Sequence, residues 1–205
     1  MIHDLRGKTV ALILGISLLG VGGCASSKEA KFYTLNPLTV SGDLPGSVPA
    51  EQGIAVAIGP IAIPDYLSRP QILTRSSPRE LQLDEFERWA GSLEEDISRV
   101  LAENLSVLLS KDHVTVLRWG RDAYPFPAEY RVGVDLIRFE GVIGESVTLA
   151  ARWTVSREED KKILSARESN VREPVEGQDY DALVGAMSSA LATLSREIAA
   201  AIPVN

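Results

Sequence analysis

The residue with the most distinctive chemistry in this sequence is Cys24, the only cysteine among 205 residues. It stands where an apolar run ends, and Val21, Gly22 and Gly23 precede it directly. A lone thiol can be a small buried hydrophobic group, a nucleophile or the attachment point of another group. The residues on both sides of Cys24 decide among these three interpretations.

The segment before Cys24 contains the parts of a signal peptide in their usual order. Arg6 and Lys8 supply positive charge, residues 9–20 form an uncharged apolar run, and residues 21–24 read VGGC. The run is too short to span a bilayer, which needs about 20 apolar residues. VGGC resembles the bacterial lipobox, in which the thiol receives a diacylglyceryl group and cleavage makes the cysteine the new N-terminus. We therefore predict a lipoprotein signal peptide at residues 1–23 and lipidation of Cys24.

The residues after Cys24 predict where the protein resides. Ala25 follows the cysteine, and an Asp at this second position is absent, which resembles the pattern of Gram-negative lipoproteins exported to the outer membrane. A lipoprotein carries several acyl chains, so the attachment is stable. The predicted organisation is a lipidated tether at residues 24–31 and a single periplasmic domain at residues 32–205, on the periplasmic face of the outer membrane.

Charge and residue types exclude several classes of function. The formal net charge is −7, which disfavours a nucleic-acid partner. His113 is the only histidine outside the signal peptide, and the sequence has no GxSxG motif to expose a nucleophilic serine. One histidine and no free cysteine also disfavour a transition-metal site. We predict that the protein is not an enzyme and uses no cofactor, and we interpret His113 as a surface residue.

Hydrophobic periodicity predicts the elements of the domain. Period-2 alternation predicts strands at 32–35, 54–58, 71–75, 80–86, 113–119, 130–139, 146–157 and 163–171, and period 3.6 predicts helices at 92–110 and 179–203. Ser92 and Glu95 fit a capping box, and Glu95 and Arg99 are spaced for an i, i+4 ion pair. The predicted fold class is α+β: a mostly antiparallel β-sheet with two amphipathic helices packed on it, in a single domain.

Two positions break the strand pattern. Gly59-Pro60 interrupts the apolar run that begins at Ile54, so we expect the strand to stop there. Further along, apolar residues change faces between Leu136 and Ile137. Such a change of phase predicts a β-bulge or a register change.

The segment PDYLSRP differs from the rest of the chain because two prolines bracket it. Pro64 and Pro70 prevent a helix through its length, and Tyr66 and Arg69 lie between them. Tyr and Arg displayed on a stiff loop suit a protein contact. The alternative is that Tyr66 packs over the edge of the sheet while Arg69 pairs with Asp65 or caps a carbonyl. The residues alone leave both interpretations open.

Three stretches of the sequence carry a resemblance to a known family. They are FYTL soon after Cys24, AVAIGPIAIPDYLSRPQILTR at 55–75, and ERWAGSLEEDISRVLAENLSVLL at 87–109. Together they resemble the PqiC (YmbA) family of ABC-type transport auxiliary lipoproteins. In this resemblance Cys24 matches the lipidated position, and the residues that match the family pattern as structural or partner-contact positions are Phe32, Tyr33, Pro64, Tyr66, Arg69, Pro70 and Trp89.

The resemblance implies a non-enzymatic auxiliary subunit. Its expected partner is an MCE-domain protein that spans the periplasm, together with the inner-membrane components of that system. The assembly would carry lipids or other hydrophobic molecules across the envelope and support membrane integrity, and ring-like self-association would suit docking onto it. Two alternatives stay open: a stand-alone periplasmic lipid-binding lipoprotein with an apolar cavity between sheet and helices, and a hydrolase that uses His113.

Overall fold

The computed structural model describes residues 28–39, 53–122 and 127–204. The signal peptide at 1–23, the lipidation site Cys24 and the first part of the tether lie outside the described residues, so those predictions stay predictions. The described residues form one open sheet with two helices on it. The α+β fold class is therefore confirmed.

The strands of the described residues follow the predicted pattern. They are β1 (Lys31–Tyr33), β2 (Ile54–Ala62), β3 (Gln71–Ser77), β4 (Glu80–Trp89), β5 (Val114–Arg118), β6 (Tyr130–Val142), β7 (Ser146–Arg157) and β8 (Ile163–Pro174). Five are longer than predicted, β7 has the predicted bounds, and β1 and β5 are shorter.

The sheet is organised around β6. One edge of β6 pairs with β7, and β7 pairs with β8. These three strands form an antiparallel meander. On the other side β2 pairs in parallel with the first half of β6, and β3 pairs in parallel near its end. β5 extends the sheet beyond β2, while β4 and then β1 extend it beyond β3. Most residue pairs are antiparallel, but the sheet is mixed, because the chain returns to β6 through α-helical and loop crossovers.

The two helices of the described residues are α1 (Leu93–Leu108) and α2 (Tyr180–Ala199). Each begins with a side-chain cap: Ser92 accepts a hydrogen bond from the Glu95 N–H, and Asp179 accepts one from the Ala182 N–H. α1 packs on β2 and β5, α2 packs on β6, β7 and β8, and the helices contact each other. Their apolar stripes meet the buried face of the sheet, where Trp153 and Phe139 are the largest fully buried side chains.

Both predicted irregularities occur, and one has a different form from the expectation. The register of β6 against β7 shifts between Leu136 and Arg138, which confirms the predicted bulge or register change. β2 does not stop at Gly59-Pro60; it continues to Ala62 with a register shift between Ile58 and Ile61. Gly59 has φ 129°, and a Cβ there would lie 3.1 Å from the Trp119 Cβ. A side chain at position 59 would therefore be strained.

The predicted Glu95–Arg99 pair is wrong. The Arg99 guanidinium instead pairs with Asp96 at 2.5 Å and with Glu103 at 3.2 Å, and it also donates to the Leu35 carbonyl at 2.7 Å. Glu95 turns outward to Arg121. Arg99 makes more hydrogen bonds this way, because the segment after β1 runs along α1 and offers it a backbone oxygen.

Candidate functional site

The segment between β2 and β3 spans residues 64–70 and is held close to the sheet. It forms one 3₁₀ turn at Asp65–Leu67, in which the Leu67 N–H donates to the Pro64 carbonyl at 2.9 Å. Leu67 is buried under the turn. Because the strands on both sides of the segment pair with β6, the segment has little freedom to swing away from the sheet.

Tyr66 faces the domain rather than the solvent. Its hydroxyl donates a hydrogen bond to Glu140 Oε2 at 3.1 Å, and Glu140 on β6 is fully buried. Arg75 donates from Nε at 3.0 Å and from Nη2 at 2.7 Å to Glu140 Oε1, which also accepts from Arg138 Nε at 2.6 Å. We call these four residues the Glu140 cluster. The contact between Tyr66 and Glu140 agrees with the alternative interpretation, in which Tyr66 packs over the sheet.

The electrostatics of the Glu140 cluster follow from its burial. Two guanidinium groups surround one carboxylate, so the charge of Glu140 is compensated where water cannot reach it. Burial, followed by the negative charge of Glu140, raises the pKa of Tyr66 to about 12. Tyr66 therefore stays a neutral hydrogen-bond donor through the physiological range, and the cluster fixes the segment in one conformation.

Arg69 is the exposed cation of the segment. Its Nε donates to the Tyr66 carbonyl at 2.8 Å, which is the predicted capping of a carbonyl. The guanidinium borders an open hollow of about 330 Å³ between the segment and the start of α1. The hollow is lined by Ile63, Ser68, Arg69, Pro70, Gly91, Ser92, Leu93 and Glu94. A cation at an open depression next to a rigid turn can take part in recognition of another protein.

Trp89, Pro70 and Tyr33 meet at one end of the sheet. The Trp89 N–H donates to the Pro70 carbonyl at 2.7 Å, and the Ala90 N–H donates to the Tyr33 carbonyl at 2.8 Å. Trp89 is buried, so its indole is a core residue. Tyr33 donates its hydroxyl to Glu87 at 2.6 Å, and burial together with this carboxylate raises the pKa of Tyr33.

Phe32 differs from the other residues matched to the family pattern. Its side chain is 65% exposed, although it lies between Lys31 and the half-buried Tyr33 in β1. Thus backbone hydrogen bonds connect the strand ends that carry Tyr33, Pro70 and Trp89. Tyr66 binds a buried carboxylate. Phe32 and Arg69 are open to solvent. Their proposed roles in partner contact remain predictions.

Sequence reasoning missed the Glu140 cluster. Glu140 follows Phe139 in a strand whose two faces are both covered there, since Phe139, Glu140 and Gly141 are all buried. A charged residue in such a run requires a compensating cation. Arg138 lies two residues before Glu140 on β6, whereas Arg75 comes from β3, and only the pairing of β3 with β6 brings Arg75 to this carboxylate.

The structure also brings Trp119 and Arg131 together beside the middle of β2, next to Ala57 and Ile58. The Arg131 guanidinium lies 3.4 Å from the Trp119 ring centroid and pairs with Glu158 at 2.6 Å. Hydrogen bonds from Lys161 and Arg131 hold the pKa of Glu158 below its usual value, although partial burial opposes this. This pair supports the corner between β5, β6 and β7.

His113 lies at a sharp turn before β5. It is exposed and has φ 53°, in the left-handed region. A Cβ at Gly53 would lie 2.4 Å from the His113 carbonyl oxygen, so the two backbones are packed closely together.

Among residues 28–39, 53–122 and 127–204, no three His, Cys, Asp or Glu side chains form a group suited to a metal ion. Neither α1 nor α2 is long and apolar enough to cross a membrane.

Comparison with known proteins agrees with this fold. The family model "ABC-type transport auxiliary lipoprotein component" matches residues 33–199. A solved structure of an uncharacterized protein is 18% identical, with a TM-score of 0.69, covering 85% of this chain and 99% of that one. Protein XCC0632 from Xanthomonas campestris is 19% identical, with a TM-score of 0.62, covering 83% and 93%. Comparison with curated proteins gives no match.

Proposed function

Because the chain belongs to the family of ABC-type transport auxiliary lipoprotein components, we propose that it is the outer-membrane subunit of an MCE-type transport system. In this role Cys24 anchors the domain to the periplasmic face of the outer membrane. The domain docks onto a periplasm-spanning MCE-domain protein, which connects it with the inner-membrane components. The system carries lipids or other hydrophobic molecules and contributes to membrane integrity, and this subunit performs no chemical step.

The observation that carries the proposal is the rigid segment 64–70 within a chain that matches the family over most of its length. The Glu140 cluster fixes Tyr66 from below, and Arg69 stands beside the open hollow at the start of α1. A preorganised surface loses less conformational entropy when a partner binds. We therefore assign partner contact to Arg69 and the hollow, and a supporting role to Tyr66.

The test is crosslinking of intact envelopes followed by affinity purification of full-length protein with a C-terminal tag. Mass spectrometry should identify an MCE-domain protein and its membrane partners with the wild type. Arg69→Ala removes the exposed cation and should reduce their recovery at least several-fold. Recovery of the tagged protein alone, correctly lipidated and in good yield, would contradict the transport role.

The matched control is Arg79→Ala. Arg79 is an exposed arginine on the turn between β3 and β4, away from the hollow at the start of α1. It changes the net charge by the same amount as Arg69→Ala, so equal losses in both variants would indicate a general charge effect. Tyr66→Phe keeps the ring in place and is expected to retain more of the partner than Arg69→Ala.

Ring-like self-association would provide several docking surfaces to one tubular MCE assembly. Multiple weak contacts in a ring add to the overall affinity when their geometry matches. The subunit count is measured by native mass spectrometry of the lipidated protein released in detergent. A monomer at all concentrations would contradict the ring.

Lipid binding by the domain itself is the second candidate. The space between sheet and helices is occupied by fully buried side chains such as Ile97, Leu105 and Leu191. The outer face of the sheet, however, has an open, mainly apolar groove of about 540 Å³ bordered by Pro60, Ala62, Gly133, Thr154 and Ala166. Native mass spectrometry that finds a stoichiometric lipid in addition to the anchor would favour this function.

A further inference from the structure

The first strand of the domain lies very close to the anchor along the chain. Four peptide units separate Cys24 from Lys28, and seven separate it from Lys31, where β1 begins. At about 3.5 Å per residue these distances are at most about 14 Å and about 25 Å. A folded chain of about 180 residues has a radius of gyration of about 16 Å and thus a diameter of about 40 Å. The tether is therefore shorter than the domain is wide.

The start of the described chain is attached to the domain by several contacts. Lys28 Nζ lies 2.7 Å from Asp84 Oδ2 and 3.5 Å from Glu87 Oε1, and 5.3 Å from the Phe86 ring centroid. The Lys28 side chain is half exposed, so this pair by itself holds weakly. The pairing of Lys31–Tyr33 with Glu87–Trp89 provides the firm attachment.

An exposed aromatic side chain lies at this attachment point. Phe32 is the most exposed of the large hydrophobic residues that the structure describes, at 65%. Two apolar residues that follow it pack against the domain: Tyr33 is tilted against Tyr180 with ring centroids 6.4 Å apart, and Leu35 is fully buried. Two exposed lysines lie nearby: Lys31 directly precedes Phe32 in β1, and Lys28 lies in the segment before β1.

We propose that the β1 edge, with Phe32 at its centre and Lys28 and Lys31 beside it, rests on the leaflet that holds the Cys24 lipid. This inference rests on the lipid anchor of the proposed function and adds the orientation of the domain. The tether prevents the domain from presenting any distant face to the membrane. Phenylalanine side chains of membrane-surface segments insert at the boundary between headgroups and acyl chains, and lysine side chains extend along it with the ammonium in water.

The orientation has a consequence for the partner. β1 and β8 are at opposite ends of the sheet, five strand spacings apart, which is about 24 Å at about 4.8 Å per strand. With β1 at the membrane, β8 and the meander point toward the periplasm. Phe32 is then a lipid contact, and Arg69 is left as the exposed family-pattern residue available to a protein.

The test uses the single cysteine of the sequence, because lipidation consumes it. Full-length, lipidated protein carries either Phe32→Cys or Ile163→Cys, and the new thiol receives a nitroxide spin label. Ile163, at the start of β8, is 61% exposed and is the matched control on the opposite edge. Each protein is placed in vesicles of phosphatidylethanolamine and phosphatidylglycerol, and the accessibility of the label to oxygen and to a water-soluble nickel chelate is measured.

We expect the label at position 32 to be at least about threefold less accessible to nickel than the label at position 163, with oxygen accessibility higher at position 32. Equal nickel accessibility at the two positions would overturn the proposal, and so would protection of both. Mass spectrometry of the same samples must show the lipid on Cys24; an unmodified Cys24 also overturns it. Partner recovery in the crosslinking experiment is measured separately, so failure of the orientation and failure of the transport role are distinguishable.

Discussion

Two fully buried polar residues, Glu140 and Asn104, show two ways of holding an extended segment against this domain. Glu140 holds the segment 64–70, and its carboxylate pairs with two guanidinium groups, those of Arg75 and Arg138. Asn104 on α1 holds the segment after β1: it accepts from the Leu38 N–H at 2.7 Å and donates to Ser195 Oγ at 3.0 Å. A neutral amide needs no counter-charge, so its site is simpler.

The charged site at Glu140 and the neutral site at Asn104 differ in how strictly they fix the geometry of the segments that they hold. A buried charge restricts its partners to one geometry, and loss of one guanidinium leaves Glu140 with a single counter-charge and fewer hydrogen bonds. This rigidity occurs beside Arg69, where the proposed partner docks. Neutral hydrogen bonds are sufficient between the helices, where apolar side chains contribute most of the packing. The predictions below separate the two regions, beginning with the largest expected effect.

Arg75→Ala should lower the free energy of unfolding by about 3–5 kcal/mol, because Glu140 keeps only Arg138 as a counter-charge. Urea denaturation monitored by tryptophan fluorescence measures this change. Arg79→Ala, the exposed control, should stay within about 0.5 kcal/mol of the wild type. Adding Glu140→Gln to Arg75→Ala should recover part of the loss. A loss below about 1 kcal/mol in Arg75→Ala would show that the carboxylate does not need both cations.

Asn104→Ala should lower the free energy of unfolding by about 1–3 kcal/mol, since the Leu38 N–H and Ser195 lose a buried partner. The same urea experiment measures it, with Ser106→Ala on the exposed side of α1 as the control. The comparison fails if Asn104→Ala costs more than Arg75→Ala. Hydrogen exchange should also become faster at the Leu38 amide and stay unchanged in the segment 64–70.

Tyr66→Phe should cost about 1 kcal/mol, because one hydrogen bond to Glu140 is lost while the ring stays packed. Its pKa of about 12 in the folded protein lies above the unfolded value of 10.0, so this group favours folding fully below pH 10 and its contribution is lost as the pH rises toward 12. Ultraviolet titration should show several late-ionising tyrosines, Tyr66 and Tyr33 among them, and one fewer in the variant. An unchanged titration curve would contradict the assignment.

Glu158→Gln should have the smallest effect, seen only as a weaker dependence of stability on acid pH. The folded pKa of Glu158 lies below the unfolded value of 4.5, so the unfolded chain binds more protons between the two values. The contribution is therefore complete above about pH 4.5 and is lost as the pH falls through the folded pKa. Thermal unfolding from pH 6 to pH 3 measures the slope in the variant and in the wild type, and equal slopes would contradict the prediction.

Local patterns predicted the elements well where a short stretch of chain contains the cause. Ser92 starts α1 because its own side chain reaches an N–H three residues on, and the bulge near Ile137 follows from a change of faces visible in the sequence. The prediction of a Glu95–Arg99 pair was wrong because Arg99 binds other partners. One of them, the Leu35 carbonyl, comes near Arg99 only in the folded domain.

For the candidate site, sequence reasoning identified the segment 64–70 and left two roles open for Tyr66. The structure decided between its packing and its display, because Glu140 and Tyr66 are 74 residues apart in the chain. Trp89 was similarly matched to the family pattern as a structural or partner-contact residue. In the structure its side chain is buried in the core, and its N–H donates to the Pro70 carbonyl.

What the sequence by itself determined is the order of strands and helices, the capped start of α1, the stiffness between Pro64 and Pro70, and the prediction of an anchor at Cys24, since each depends on neighbouring residues. Only the tertiary structure decided that β2 and β3 both lie along β6, that Arg75 and Arg138 meet at Glu140, and that Phe32 remains exposed on β1. The physical reason is that burial and charge compensation depend on residues distant in the chain, whose meeting is set by strand pairing.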